Sequence, residues 1–506
     1  MTSTLASRRT LSVTLLSFSS GLPLGLIWIA LPDWMRNSGI DIRVVGLMTL
    51  AQAPWAFKLL WAPLMSRWEP AFRGRLRSWM IVTQVGLILG TAALGFFASA
   101  PDLPWVILSV SMAIAFAAAS QDIALDAYVV EVLEKGEHGV VVGARTGFYR
   151  AAMFVSGGMT IYLASVISWQ LVCGLQALLY LPMIYVTWQT QPVPDRAEAG
   201  ARNLRREIWE PFVGMMTRPR ALEILTFVLL YKLADALSQS LLRPFLIDMG
   251  YGDWDRGVGL TTVGLICTVG GTFFGGIASD RIGLGRALWV FGALQILSNV
   301  GYLWIAHLPT TRWAMYSAMS FEMWTSGMGM GAFGVLLLRL TAKRFSATQY
   351  ALFSSMFALP RVVGGPITGF IVHQFDWSSF FIFTMIAGLP GMILLSRFVP
   401  WGTREIVFNV EDDGRRGAVD RAMAWRRGAL GAVAGGVTAV GLVALGRSLE
   451  ALKDDSSAPF DLGSAVGQIL LPDGTGGWIL LTGIVVFSLI CGLLGAASAR
   501  KGDRFI

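Results

Sequence analysis

Apolar positions in this chain run on for twenty residues or more, without the polar stripe that marks a helix lying on a soluble core. The runs begin at residue 11 and end at residue 499. Most exceed the ~20 residues that carry an α-helix across a bilayer. They predict fourteen spans, at 11–35, 43–66, 78–99, 103–132, 139–166, 169–188, 221–249, 256–280, 285–306, 310–340, 347–375, 378–398, 426–447 and 476–499. Strands are not expected, so the fold class is an all-α polytopic membrane protein.

Charge sorts the connections between spans. The two termini and every even-numbered loop are rich in Lys and Arg, as in "RWEPAFRGRLR", "DRAEAGARNLRRE", "DRIGLGR" and "RKGDR". Odd-numbered loops such as "SAPDLPW" and "HQFDWSS" have none. The positive-inside rule then puts both termini in the cytoplasm. Composition agrees: 54% of residues are hydrophobic and 14% charged, against roughly 25% charged in soluble domains. The net charge of +8 follows from these loops and is not a nucleic-acid footprint. Cys173, Cys267 and Cys491 fall inside apolar runs, and the three histidines lie far apart, so neither disulfides nor a metal site is expected. The run after Arg8 and Arg9 is too long for the apolar core of a signal peptide, and reads as a retained first span.

Two long basic connections divide the spans six, six and two. The expected units are residues 1–190, a linker at 191–220, residues 221–400, a second linker at 401–425, and two additional spans with their loop at 426–506. The halves also repeat: "GIDIRVVGLMT" at 39–49 and "GDWDRGVGLTT" at 252–262 share Gly, Arg, Val, Gly, Leu and Thr at the same offsets. Two duplicated six-helix halves are the architecture of major facilitator transporters. At the end of span 8, "GIASDRIGLGR" resembles that superfamily's gate motif through Asp280, Arg281, Gly283 and Arg286. After span 2 the matching position is Ser66, which lacks the usual acid.

Eight ionisable residues are expected well inside spans: Lys58, Asp122, Asp126, Arg150, Lys232, Asp235, Glu322 and Arg361. Each would cost about 2.5–3.5 kcal/mol at the centre of a lipid-exposed helix, so they must face one another or water. In the major facilitator arrangement spans 1, 4, 7 and 10 line the central cavity, and five of the eight, Asp122, Asp126, Lys232, Asp235 and Glu322, lie on spans 4, 7 and 10. Asp122 and Asp126 in "ASQDIALDAY" lie one turn apart. Two carboxylates that close in a low dielectric repel each other, which suits one of them to carry a proton. The alternative is structural, with Asp126 bridging to Lys58 or Arg150. Lys232 and Asp235, at i and i+3, can pair on their own helix. Asp235 and Glu322 are further proton-coupling candidates. Arg150 and Arg361 suit a bidentate grip on a carboxylate, and Glu322 is the structural alternative for Arg361.

Other features carry less. Gly329, Gly331 and Gly334 spell GxGxxG inside span 10, where small residues serve close helix packing; no strand precedes them, as a dinucleotide site would need. Gly21 and Pro23 in "SSGLPLGL" are expected to break or hinge span 1. No phosphate-binding loop, zinc-protease or serine-hydrolase motif occurs, so neither an enzyme nor a bound cofactor is expected.

"SFSSGLPLGL", "FKLLWAPLMSR", "ASQDIALDAY", "LYKLADALSQSLL", "RALWVFGALQILSNVGY", "FEMWTSGMGMGAF" and "RFSATQYAL" resemble, in order, the AmpG-type muropeptide permease family. The resemblance implies a bacterial inner-membrane permease of peptidoglycan recycling. It would import N-acetylglucosaminyl-1,6-anhydro-N-acetylmuramyl peptides with protons and indirectly feed β-lactamase induction. Members commonly carry fourteen helices. For such cargo, Trp28 and Trp324 are candidates for sugar stacking, with Trp34 and Trp61 more suited to anchoring at the membrane interface. Gln121 and Gln239 could meet sugar hydroxyls, and Arg150, Lys232 and Arg361 the peptide carboxylates. Lys58, Asp280, Arg281 and Arg286 fall to gating or structure. The expected state is a monomer in the bilayer, with the two additional spans outside the core. Alternatives are a transporter of acetyl-coenzyme A or another small metabolite, and a membrane receptor or scaffold that moves nothing.

Overall fold

A computed structural model describes residues 7–38, 51–68, 70, 74–97, 104–134, 136–193, 204–216, 220–357, 372, 376–406, 421–454, 461–472 and 474–498. Among these residues every regular element is helical. Among the described residues eight helices are long and apolar enough to cross a membrane: Arg8–Asn37, Arg75–Phe97, Trp105–Val132, Trp169–Gln189, Trp254–Ile282, Leu284–Ile305, Trp377–Phe398 and Ala422–Leu445. They coincide with spans 1, 3, 4, 6, 8, 9, 12 and 13.

The other spans depart from single apolar rods for identifiable reasons. Span 2 is described from residue 51 onward as short pieces, Ala53–Phe57, Lys58–Leu60 and Ala62–Arg67, the first and last each opened by a proline in its first turn. Span 7 is cut into Ala221–Leu230, Leu233–Ser240 and Leu242–Asp248, with turns at Tyr231–Lys232 and at Leu241. Span 10 is one 29-residue helix, Arg312–Leu340, whose charged ends and Glu322 lower its hydropathy. Span 14 runs from Gly474 to Ser498. Span 11 is described only to residue 357 and at 372.

The expected break at Pro23 is not there. The helix Arg8–Gly25 runs through it, and the irregularity comes three residues later as a π turn, Leu26–Ala30. A second π turn, Val155–Met159, interrupts span 5, and the two turns pack on each other. Glycine makes this crossing possible. A Cβ on Gly21 would lie 2.3 Å from the Tyr149 carbonyl oxygen, and one on Gly25 2.1 Å from Ser156 Oγ. π turns widen a helix by one residue per turn and recur at functional sites.

The chain forms two compact units that do not follow chain order. The first takes residues 1–207, 265–288 and 327–355. Its apolar core joins Leu22, Leu26, Leu31, Leu87, Ile114 and Trp169 from spans 1, 3, 4 and 6. Trp34 stacks on Trp169 with centroids 5.0 Å apart, inside this cluster. The glycines of the span 10 motif pack as helix contacts here: Gly327 against the Thr268 carbonyl, Gly331 against that of Thr272, and Gly334 against Val142.

The second unit takes residues 208–264, 289–326 and 356–506. Its centre is aromatic: Phe245, Tyr302 and Phe381 lie 4.8 to 6.1 Å apart by centroid. Spans 13 and 14 form a hairpin in which Gly431 and Gly435 approach Cys491. Between them, Asp461 caps the short helix Leu462–Leu470 by accepting from the backbone N–H groups of Gly463 and Ser464, which hold its carboxyl below the usual range.

Gly21→Leu should cost about 1–3 kcal/mol or more through overpacking against the span 5 backbone, whereas Gly174→Leu, where a Cβ meets nothing within 4 Å, should be nearly neutral. Thermal melting of the two variants in detergent checks this; equal melting points would remove the argument for a glycine-dependent crossing.

Candidate functional site

Each unit holds its own buried cluster of charge. In the first, span 4 is an uninterrupted helix, Pro104–Val132, so Asp122 and Asp126 share a face one turn apart. Asp126 is clamped by two cations: Arg145 Nη2 donates to Oδ1 at 2.7 Å and Lys58 Nζ to Oδ2 at 3.5 Å. Lys58 comes from the 3₁₀ turn of span 2 and Arg145 from the helix His138–Phe154 of span 5. Arg145 also donates through Nε to Ser17 Oγ of span 1 at 3.1 Å. Four helices are thus tied at one carboxylate. Asp122 makes no ion pair among the described residues, and its neighbour Gln121 donates to Ser19 Oγ at 2.6 Å.

By sequence, Lys58 or Arg150 was the expected partner of Asp126. Lys58 is one of them, but the arginine is Arg145. Arg150 lies five residues further along the same helix and is exposed. At 100° per residue the two arginines point about 140° apart, so only one can meet span 4.

In the second unit Lys232 Nζ pairs with Asp235 Oδ2 at 3.0 Å and donates to the Ser326 carbonyl of span 10 at 3.1 Å. The break in span 7 sits at Tyr231–Lys232, which makes Lys232 the residue leading into the helix Leu233–Ser240. Glu322, 1% exposed, is held by neutral donors. Gln239 Nε2 reaches both its oxygens, at 2.9 and 2.8 Å, and Tyr302 Oη donates to Oε2 at 3.2 Å. Arg361, the suggested partner of Glu322, lies outside the described residues. Tyr302, Arg145 and Ser17 were not singled out from the sequence. The serines of "SFSSG", polar positions inside an apolar run, were the available signal.

Aromatic candidates divide likewise. Trp28 is 38% exposed, sits in the first π turn and meets Trp55 edge-on at 5.8 Å. Trp61 donates to Ser120 Oγ at 3.0 Å and packs on Phe116. Trp324 is also 38% exposed, on span 10. Asp280 of the gate motif accepts from the backbone N–H of Gly139, at the start of the span 5 helix, at 3.0 Å, and pairs with Arg339 at 3.8 Å. Gly139 and Gly276 approach so closely there that a Cβ on either would lie about 2 Å from the other's carbonyl oxygen. Arg281 and Arg286 flank the turn between spans 8 and 9 and are exposed. A second tie joins span 4 to the loop after span 10, where Glu131 accepts from Arg75 at 2.9 Å and from Ser346 Oγ.

Long apolar helices with buried charge pairs between them are the make-up of a multi-pass membrane protein. The profile of the Major Facilitator Superfamily matches residues 13–365, and the chain belongs to that superfamily. The anhydromuropeptide permease of Escherichia coli K12 is 39% identical over 389 residues, covering 76% of this chain and 79% of that protein. An uncharacterised protein of Haemophilus influenzae is 31% identical over 412 residues, covering 79% and 96%. Among solved structures, the proton:xylose symporter XylE bound to 6-bromo-6-deoxy-D-glucose superposes with a TM-score of 0.61 at 11% identity, over 78% of this chain and 96% of that one. The E. coli fucose:proton symporter FucP gives 0.58 at 13% identity, over 77% and 98%. These likenesses establish the fold. The chain is a multi-pass transporter by family, and not an enzyme.

Removing one partner of a buried ion pair strands charge and costs about 3–5 kcal/mol. Asp126→Leu should therefore lower the unfolding midpoint in detergent much further than Asp122→Leu. Equal losses would mean that Asp126 is not the structural clamp of this cluster.

Proposed function

We propose that this protein imports peptidoglycan-derived anhydromuropeptides from periplasm to cytoplasm, coupled to protons, by alternating access. The observation that carries the reading is the 39% identity to the E. coli anhydromuropeptide permease, sustained over 79% of that protein's length. The quoted segments that resemble the permease family add to it, since they follow in order from span 1 to the start of span 11. A muropeptide offers sugar faces to Trp28 and Trp324, sugar hydroxyls to Gln121 and Gln239, and peptide carboxylates to Arg150, Lys232 and Arg361. Asp122, Asp126, Asp235 and Glu322 are the proton-coupling acids in this reading. Of the span 4 pair, Asp122 is the better carrier, because Asp126 already answers to two cations. Lys58, Asp280, Arg281 and Arg286 serve gating or scaffolding.

The rest of the proposal concerns organisation. The protein is a monomer in the bacterial inner membrane with both termini cytoplasmic, as the basic loops indicate. It has fourteen spans: six-helix bundles at 1–190 and 221–400, linkers at 191–220 and 401–425, and two additional helices within 426–506. Spans 13 and 14 lie outside the transport core, because the duplicated unit is complete without them.

Uptake of labelled anhydromuropeptide into proteoliposomes tests the reading. Wild-type protein should accumulate it several-fold when an inward proton gradient is imposed and only equilibrate without one. Asp122→Asn should abolish accumulation yet retain exchange of labelled for unlabelled substrate. No uptake at all would refute the substrate, uptake indifferent to the gradient would refute the coupling, and normal accumulation by Asp122→Asn would move the carrier to another acid.

A further inference from the structure

We propose that the hairpin of spans 13 and 14 carries a binding slot for an anionic phospholipid, with the acyl chains along span 13 and the headgroup at Arg426 and Trp425. The site is independent of the transport reading. An apolar slot of about 560 Å³ is lined by Val433, Gly436, Val437 and Gly441 of span 13, Leu470 of the short helix, and Ser488 of span 14. It is distinct from the seam of the hairpin. Gly428, Gly431 and Gly435 turn the other way, into contact with Gly492, Cys491 and Ala496. The slot face therefore stays open after the hairpin has packed on itself. Val433 and Val437 are 63% and 68% exposed, and a Cβ on Gly441 would meet nothing within 4 Å. The helix Leu462–Leu470 bounds the far end, anchored by Ala465 and Ile469 against Ala444 and Ile484.

The lining is apolar apart from Ser488 and runs along span 13 from position 432 to 441, about 14 Å of helix, as an acyl chain lying against the helix requires.

Charge selects the headgroup. Arg426 precedes Val433 by seven residues, two turns along the same face, and Trp425 borders that face. Trp425 is 80% exposed. Arg426 is exposed and makes no hydrogen bond or ion pair among the described residues. Its neighbour Arg427 instead donates to the Ser498 carbonyl at the end of span 14. From Arg426 to Gly441 the face runs about 22 Å, against the ~15 Å depth of one hydrocarbon leaflet. An exposed guanidinium beside a tryptophan, about 9 Å along the helix from the first residue of the slot, suits a lipid phosphate and not a neutral surface.

Native mass spectrometry of the full-length protein in detergent, with equimolar phosphatidylglycerol and phosphatidylcholine of matched chains, tests the site. One arginine near an anionic headgroup should favour phosphatidylglycerol adducts about five-fold. Arg426→Gln, a surface change, should erase that preference while phosphatidylcholine binding persists. Gly441→Leu fills the slot without a clash and should reduce adducts of both lipids. Equal retention of the two lipids by the wild type overturns the proposal, as does an Arg426→Gln variant that keeps its preference. A dimer that Gly441→Leu converts to monomer with lipid adducts unchanged also overturns it, since the slot would then seat a second copy.

Discussion

A charge inside a bilayer has to be met within the protein, and this one requirement fixes much of how the first unit is assembled. Asp126 draws Lys58 from span 2 and Arg145 from span 5, and Arg145 extends the bond to Ser17 on span 1. Helices that lipid does not drive together by apolar contact alone are thereby held in one register. The pairing is costly to break from either side.

Close backbone approach is the second half of the same arrangement. Polar side chains as short as those of Ser17 and Ser19 reach span 4 and span 5 partners where the helices nearly touch. Gly21 and Gly25 allow that between spans 1 and 5. The π turns lie at the same crossing, so the ladder is irregular where the backbones are closest. In the second unit the interruption serves differently. The broken turn at Tyr231–Lys232 ends one helix and lets Lys232 reach both Asp235 and a span 10 carbonyl.

The broad fold was legible because hydropathy and loop charge are one-dimensional signals, and eight spans stand where the apolar runs predicted. The i, i+3 spacing of Lys232 and Asp235 sufficed to foresee their pair, and the small residues of span 10 their packing role. What escaped was rotational. Depth along span 5 marks both Arg145 and Arg150 as buried candidates, and only the helix's orientation about its axis distinguishes them. Glu322 was visible as an acid, but its donors Gln239 and Tyr302 come from two other helices, and no spacing along the chain announces such a meeting. The shift of the irregularity from Pro23 to Leu26–Ala30 is likewise tertiary: a proline inside a span can be absorbed where neighbouring helices surround it.

The two charge clusters are not copies of each other, although the chain repeats at 39–49 and 252–262. The first sets two acids against two bases, and Asp126 takes both bases within bonding range. The second sets Asp235 and Glu322 against Lys232, which is engaged with Asp235 and with the Ser326 carbonyl. Glu322 is met by an amide and a phenol, with no cation in bonding range among the described residues. In a low dielectric that difference is large, because a dipole's field falls off faster than that of a charge. Asp126 is therefore balanced by cations, whereas Glu322 is met among the described residues by dipoles. The repeat in sequence thus coexists with two different electrostatic arrangements, one closed by cations and the other by dipoles.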